Sequence, residues 1–316
     1  MNRVEVVEWT RRWHGPAVEP ILAELKAQLE LLTRAVDEGA FFIEFFEAAV
    51  NNESSFGRVK LVHVAQFLAH LSSRRKRDLA RRRRDSLREL FTRWKLDVRP
   101  FDAMYDNVFA HGVHEYYPVA SVEWDLAARR FEEVSIYCEP EAPRIAAAIA
   151  RGLGEKKEGL EKRLKLDRLF AVGYDFRPGK PSRFKLYHAY PVSVEKLKRY
   201  ASARCYFALP RKFWPAEYLV LKRKTEGQPF EDTRKVYFPY LQRRSMTDGT
   251  MVYGLEGACR KGPLKDFLAS VKAPSAGQFI DYLGSEGEKI EIYFGKPSLA
   301  WGEMEGFGGP GPRAPS

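Results

Sequence analysis

The strongest constraint in the sequence is a repeated strand pattern. Residues 169–190, LFAVGYDFRPGKPSRFKLYHAY, are two alternating runs joined by the turn Arg177-Pro178-Gly179-Lys180-Pro181, which predicts a hairpin. Side chains alternate along a strand, so Arg183, Lys185 and Tyr187 share one face of the second run while Phe184 and Leu186 take the other. The pattern returns in TRKVY, with Lys235 and Tyr237 on one face, and in EKIEIY, with Lys289 and Tyr293 on one face. A weaker copy, VSIY, carries Tyr137 alone. A lining of cations and tyrosines, strand after strand, is what the fold has to accommodate.

The same alternation predicts further strand pairs. Val119–Leu126 pairs with Phe131–Cys138, Tyr218–Lys224 with Thr233–Tyr240, and Phe279–Leu283 with Glu288–Phe294 around Gly284 and Gly287. Short helices are expected at Ala142–Leu153, at Val194–Tyr200 behind a Ser193 cap, and at Leu264–Val271; single strands at Arg204–Leu209 and Thr250–Glu256. Strands that find their partners through tight turns do not make a doubly wound parallel sheet. They make an antiparallel meander, which controls its edges by staying open or by closing into a barrel. With Lys, Arg, Tyr and Glu on the repeated face, a closed barrel would be wide and hold a ligand in a wet lumen. The expected fold is α+β: an antiparallel β-barrel of repeated strand pairs ringed by helices, with a helical N-terminal extension. The expected division is a helical region over 1–115, a barrel over 116–300 and a loose Gly/Pro-rich tail over 301–316.

The N-terminal region reads as helical. Ile21, Leu22, Leu25, Leu29 and Leu32 fall at helical spacing within 17–36, and 58–72, with Val59, Val62, Gln66 and Leu71, reads as a helix buried on more than one side. Between them lies the very aromatic Phe41–Val50, which something must bury. Eight of the eleven residues Arg74–Arg84 are basic, and Leu87, Leu90, Phe91 and Trp94 continue as an apolar stripe. Such a helix either grips phosphates or lays its Arg stems over apolar surface. His63 and His70 read as packing residues; His111 and His114 lack a third ligand for a metal.

Net charge is +11, which favours an anionic partner. Cys138, Cys205 and Cys259 are too few and scattered for a disulfide framework or a zinc motif. The charged opening MNRVEVVEWTRRW has no signal-peptide core and no run reaches the length of a membrane span, so a soluble cytoplasmic protein is the expectation.

If Arg183, Lys185, Lys235 and Lys289 converge in one lumen, an anion must neutralise them, and a diphosphate has the size and charge. Tyr187, Tyr237 and Tyr293 would then ring the adjacent volume, their electron-rich faces suited to a carbocation. Anion at one end and shielded cation at the other suit an allylic diphosphate, whose ionisation yields both. No Asp-rich D-D-x-x-D run is present to bind the diphosphate through magnesium, so the basic side chains would do that directly, with Mg possible as an accessory ion. Glu123 is the candidate to accept an indole N–H or phenol O–H of the acceptor; its alternative is an exposed strand Glu paired with a neighbouring Arg.

These residues resemble a known family. Asp175…Pro178…Ser182-Arg183-Phe184-Lys185-Leu186-Tyr187 is similar to the D-x-x-P-x-x-S-R-x-K-x-Y strand pair of the dimethylallyltryptophan synthase type of aromatic prenyltransferase, with a slightly longer turn. Ser121-Val122-Glu123-Trp124 with Val134–Pro140 resembles that family's first strand pair, whose Glu contacts the aromatic acceptor, and Lys235 with Tyr237 its later K-x-Y strand. The Ile290–Tyr293 strand is similar to those of the shorter cyanobactin peptide prenyltransferases. The resemblance spans roughly 119–295 and implies a ββ/α barrel in which prenyl diphosphate and an aromatic small molecule or peptide meet, away from any membrane. Two family positions differ. Ser135 stands near an expected diphosphate-binding Arg, and 169–174 lacks the Lys that deprotonates the ring. That leaves deprotonation to Glu123 or water, or moves attack to an oxygen or nitrogen acceptor. The competing reading is a nucleic-acid-binding protein, with the Arg74–Arg84 helix on phosphates and the Lys/Tyr strands stacking bases. It needs the Lys/Tyr face open, whereas prenyl transfer needs it enclosed.

Overall fold

A computed structural model describes residues 14–34, 41–51, 58–67, 70–109, 118–138, 165–207, 217–225, 228–239, 279–287 and 289–297, with a few isolated positions besides. Ten antiparallel strands close into a barrel: β1 Phe41–Asn51, β2 Arg58–Phe67, β3 Val119–Asp125, β4 Arg130–Cys138, β5 Leu169–Arg177, β6 Lys180–Pro191, β7 Glu217–Thr225, β8 Phe230–Pro239, β9 Phe279–Glu286 and β10 Lys289–Pro297. Each strand pairs with its neighbours in sequence, and β1 closes the ring on β10 through Phe45↔Pro297 to Asn51↔Glu291. Closure leaves no edge among these strands. The 169–190 hairpin is where its turn chemistry put it, Gly179 adopting φ +63° between β5 and β6.

Five helices are described: α1 Leu22–Thr33, α2 Ser73–Arg93, α3 Val98–Phe109, α4 Val194–Leu197 and α5 Ala201–Phe207. A 3-10 segment, Gly15–Ile21, leads into α1. Helix α1 buries Leu25, Leu29 and Leu32 completely, at helical spacing; each such side chain contributes about 2 kcal/mol by burial. Ser72 caps α2, its side chain accepting from the Arg75 N–H at 3.3 Å. Phe91 of α2 meets Phe176 of β5 at 4.7 Å between ring centroids, and Trp124 Nε1 of β3 donates to Gln28 Oε1 of α1 at 2.8 Å. Val122, Trp124, Val134, Ile136, Phe176, Phe184 and Leu186 therefore face outward against helices. The opposite faces of those strands form the lumen.

The N-terminal region departs from its expected helical character. Residues 58–67 are strand β2, and with β1 they supply two of the ten barrel strands, so the barrel begins far ahead of 116. Val59 and Leu61 are fully buried on the outer face and Val62 nearly so on the inner. A strand buried on both faces loses its alternation and cannot be told from a buried helix by periodicity. Its β-branched content (Val59, Val62, Val64) and its register with β1 and β3 decide it.

Residues 204–207, expected in a strand, lie in α5. The small residues Ala201, Ser202 and Ala203 let this helix approach the barrel wall, where Ser202 Oγ meets Ser285 Oγ at 2.7 Å. Helix α4 forms behind Ser193, whose side chain makes no capping hydrogen bond. Gly287 turns β9 into β10 with φ +63°, but Gly284 lies within β9. The expected helices at 142–153 and 264–271, the strand at 250–256, the His111/His114 pair and the tail at 301–316 fall outside the described residues. No helix among the described residues is long and apolar enough to cross a membrane.

Candidate active site

The lumen face of the strands brings the predicted residues together. Lys185, Tyr187, Tyr237 and Tyr293 are almost fully buried, and Tyr187, Tyr237 and Tyr293 fall in one cluster with Ala171, Leu219 and Leu221, separate from the helix-covered core. Ring centroids run Tyr137 to Tyr187 at 6.1 Å, Tyr187 to Tyr237 at 5.7 Å and Tyr237 to Tyr293 at 6.2 Å. This is a belt of tyrosines contributed by β4, β6, β8 and β10. Ammonium groups sit over it: Lys185 over Tyr137 at 5.7 Å, Lys235 over Tyr237 at 5.0 Å and Lys60 over Tyr293 at 5.7 Å. Burial, together with the neighbouring tyrosines and carboxylates, raises the Tyr187 and Tyr293 hydroxyls well above the usual phenol value, so both stay protonated donors at neutral pH.

Two glycines shape the belt. Tyr137 lies across Gly173 of β5 and Tyr237 across Gly284 of β9, each opposite its glycine in the strand register. A Cβ on Gly173 would stand 2.8 Å from the Tyr137 ring, and one on Gly284 2.9 Å from the Tyr237 ring. Only glycine leaves room for rings laid flat on the wall.

The cations are not waiting for a foreign anion. Asp175 of β5, fully buried, pairs with Arg183 at 2.9 Å and Lys185 at 2.5 Å. Arg183 also binds Glu133, and Ser135 Oγ lies 2.8 Å from a carboxylate oxygen of both Glu133 and Asp175. Lys235 binds Glu291 at 2.7 Å, and the Tyr293 hydroxyl donates to the same oxygen at 3.0 Å. The expectation that only a bound anion could neutralise this cluster is thus corrected: strand register places Asp175 directly opposite Arg183, and buried cations come with partners. Burial alone would raise the Asp175 carboxyl, but Lys185 and Arg183 overcome it and hold it down. The same contest leaves Glu291 at about 2, with Lys235 and Lys60 outweighing burial. Burial pulls the Lys185 and Lys235 ammoniums down, yet Asp175 and Glu291 respectively carry them above the usual lysine value. All remain charged at neutral pH.

Glu123 lies on the inner face of β3, mostly buried, in register with Lys60 and Glu133. It also pairs with Arg58 at 3.1 Å, an arginine partner as the plainer reading expected, though from a mostly buried lumen position rather than an exposed one. Lys289 opens β10 opposite Glu286, at the hairpin-turn end of the barrel; Glu286 in turn stands opposite Lys235.

Three lumen groups escaped sequence reading. Lys60 was hidden by the helical assignment of its strand. Glu133 and Glu291 alternate with Ser135 and Tyr293, on the face where the sequence puts Glu beside Lys, Arg and Tyr, but nothing in one dimension singles out these two. Burial works against the charge of Lys60, while Tyr137, Glu123, Glu291 and Glu133 favour it and set its ammonium well above the usual value.

The basic run Arg74–Arg84 divides between structure and surface. Arg83 is fully buried and donates to the Leu32 carbonyl at the end of α1 and to the Pro118 carbonyl at 3.3 Å, a cation at a helix C-terminus. Arg84 binds Asp102 at 2.9 Å and Asp106 at 2.8 Å of α3. Arg74, Arg77, Arg81 and Arg82 stay exposed. The Lys/Tyr face, which base stacking requires to be open, is enclosed by the barrel. No cluster of three or more metal-ligating side chains occurs among the described residues.

No family model matches the sequence, and no curated protein matches it either. Solved structures do. The chain is similar to 5-dimethylallyltryptophan synthase from Streptomyces coelicolor, with 15% identity, a TM-score of 0.60, and 92% of this chain and 96% of that one covered. It is similar to the prenyltransferase PriB, solved with L-tryptophan and dimethylallyl thiolodiphosphate, at 14% identity and a TM-score of 0.61 over 92% and 94%. It is similar to AnaPT from Neosartorya fischeri at 14% identity and a TM-score of 0.58 over 92% and 91%. The closed antiparallel barrel of this chain is therefore the fold of aromatic prenyltransferases.

Proposed function

We propose that this chain is an aromatic prenyltransferase, moving a prenyl group, in the first instance dimethylallyl, from an allylic diphosphate to an electron-rich aromatic acceptor. The acceptor class is an indole, a phenol or an aromatic side chain of a peptide. The observation that carries the reading is the enclosed belt of four tyrosines with lysine ammoniums over three of its rings. The resident lysines are themselves held by cation–π contact, so the belt is already suited to positive charge.

In the reaction the C–O bond of the donor breaks and pyrophosphate leaves with the electron pair. The allyl cation is shielded by Tyr187, Tyr237 and Tyr293, with Tyr137 completing the belt. The acceptor ring forms the new C–C bond, and the arenium proton passes to Glu123 or to water. Arg183, Lys185 and Lys235 hold the diphosphate, with Lys289 at the rim and Lys60 as an additional cation. Asp175, Glu133 and Glu291 keep these side chains in place, and an entering diphosphate exchanges part of that pairing for its own. Charge stabilisation in the enclosed lumen is the main contribution of the protein. Magnesium, if used, is an accessory ion.

The experiment is calorimetric titration with a non-ionising dimethylallyl diphosphate analogue, with and without magnesium, and separately with a short single-stranded oligonucleotide. Analogue binding that disappears in Lys185→Ala supports the lumen site. Absence of analogue binding together with salt-dependent oligonucleotide binding sinks the proposal and favours the exposed arginines of α2. Glu123→Gln is expected to lower turnover sharply with donor binding largely intact; strong loss of donor binding would remove Glu123 from the acceptor side.

A further inference from the structure

A second recess lies outside the barrel, between the outer wall of β6–β8 and helix α4 with the Arg199–Tyr200 link that follows it, with a volume of about 450 Å³. We infer that it is a binding site for a phosphate-bearing small molecule of nucleotide size, distinct from the lumen. Its lining converges four cations, Lys165, Lys196, Arg199 and Lys222, and none of the described residues lining it is acidic. The lumen is the contrast, where Arg183, Lys185 and Lys235 each meet a carboxylate. Beside the three cations on the helix side, Glu195 binds Lys198 at 2.7 Å and Asp167 pairs with Arg168 at 3.9 Å, while Lys222 on the wall stands opposite Asp232 in the β7–β8 register. Lys165, Lys196 and Arg199 make no ion pair among the described residues. These three positive groups repel one another, and a polyanion relieves that repulsion.

The floor gives the recess its second property. Tyr190 and Tyr218 stand opposite each other in the β6–β7 register, their ring centroids 5.9 Å apart, and Tyr200 lines the recess from beside α5. Lys165 and Arg168 lie over the Tyr190 ring at 5.7 and 5.3 Å, and Arg199 donates to the Tyr200 hydroxyl at 3.1 Å. Tyr200 and Tyr218 are buried while Lys196 and Arg199 are exposed, so rings make the floor and charges the mouth. A guanidinium fork and ammonium groups bind phosphate oxygens, and flat aromatic surface takes a ring attached to them. The volume lies in the range of small-molecule sites.

The probe is ADP, titrated calorimetrically into the full chain at physiological ionic strength. Saturable one-to-one binding is expected. The double variant Lys196→Ala/Arg199→Ala should weaken it by roughly tenfold or more. Lys185→Ala in the lumen and Arg74→Ala/Arg77→Ala on α2 should leave it unchanged. Lys196 and Arg199 are exposed, and an unaltered melting curve confirms that their variant folds. No ADP binding overturns the inference, as does equal weakening by Lys185→Ala, which places ADP in the lumen. Equal weakening by the α2 variant also overturns it, because binding is then only to net positive charge.

Discussion

Two walls of the lumen handle charge differently. On the β4–β5–β6 wall, Arg183 and Lys185 face Asp175 and Glu133, with Ser135 bridging the two carboxylates. On the β2–β8–β10 wall, Glu291 is shared by Lys235 and the Tyr293 hydroxyl, and Lys60 lies over the Tyr293 ring with no ion pair among the described residues. The first wall is a closed network, balanced within itself. The second carries a cation in excess of its near carboxylates. An incoming anion displaces nothing in approaching Lys60, but must break buried pairs to reach Arg183 and Lys185. If the proposed function holds, stability belongs mainly to the first wall, while the second offers an entering diphosphate its most accessible cation.

The largest expected effect tests the first wall. Asp175→Asn leaves Arg183 and Lys185 facing one another with Glu133 alone, and should cost about 3–5 kcal/mol in urea unfolding. A loss below about 1 kcal/mol, the range of exposed pairs, would show that the network is not closed. Next in size is the pH dependence. The Glu291 carboxyl is depressed from its ordinary value to about 2. A depressed carboxylate adds stability above its unfolded value, near pH 4.5, which is lost as pH falls towards 2. The size is about 3 kcal/mol by linkage. Chemical denaturation between pH 6 and pH 2.5 should show Glu291→Gln losing less stability than the unaltered chain across that window; parallel curves would detach Glu291 from Lys235.

Smaller still is the effect that distinguishes the walls most directly. Lys60→Met should weaken binding of the dimethylallyl diphosphate analogue by roughly tenfold, with little change in melting temperature, whereas Lys185→Ala loses both binding and stability. Equal melting losses in the two variants would erase the distinction. The smallest expected effect concerns the belt that joins the walls. Gly284→Ala puts a methyl 2.9 Å from the Tyr237 ring and pushes it into the lumen. A cost of about 1–3 kcal/mol follows from overpacking, together with a narrower preference for acceptor size in a product assay. Unchanged acceptor range would mean that the ring moves without narrowing the site.

Much of this was legible in the chain. Alternation is a local property, so Arg183, Lys185 and Tyr187 could be assigned one face, and Lys235 with Tyr237 another, before any strand was placed. The turn at Gly179 was equally local, since a positive φ there suits glycine. The resemblance in 175–187 then pointed to the barrel that the solved structures share. What stayed hidden depended on contacts far apart in sequence. Arg58–Phe67 carries apolar residues on both faces, and only pairing with β1 and β3 makes it a strand and turns Lys60 inward. Asp175 meets its cations because β5 and β6 take one register rather than its neighbour; a slip of one residue would turn it outward. Gly284 looks like a turn residue in one dimension, and its role, like that of Gly173 within its strand, appears only when a tyrosine from the next strand lies over it. Periodicity is written along the chain, but register, closure and charge pairing are properties of strands brought side by side.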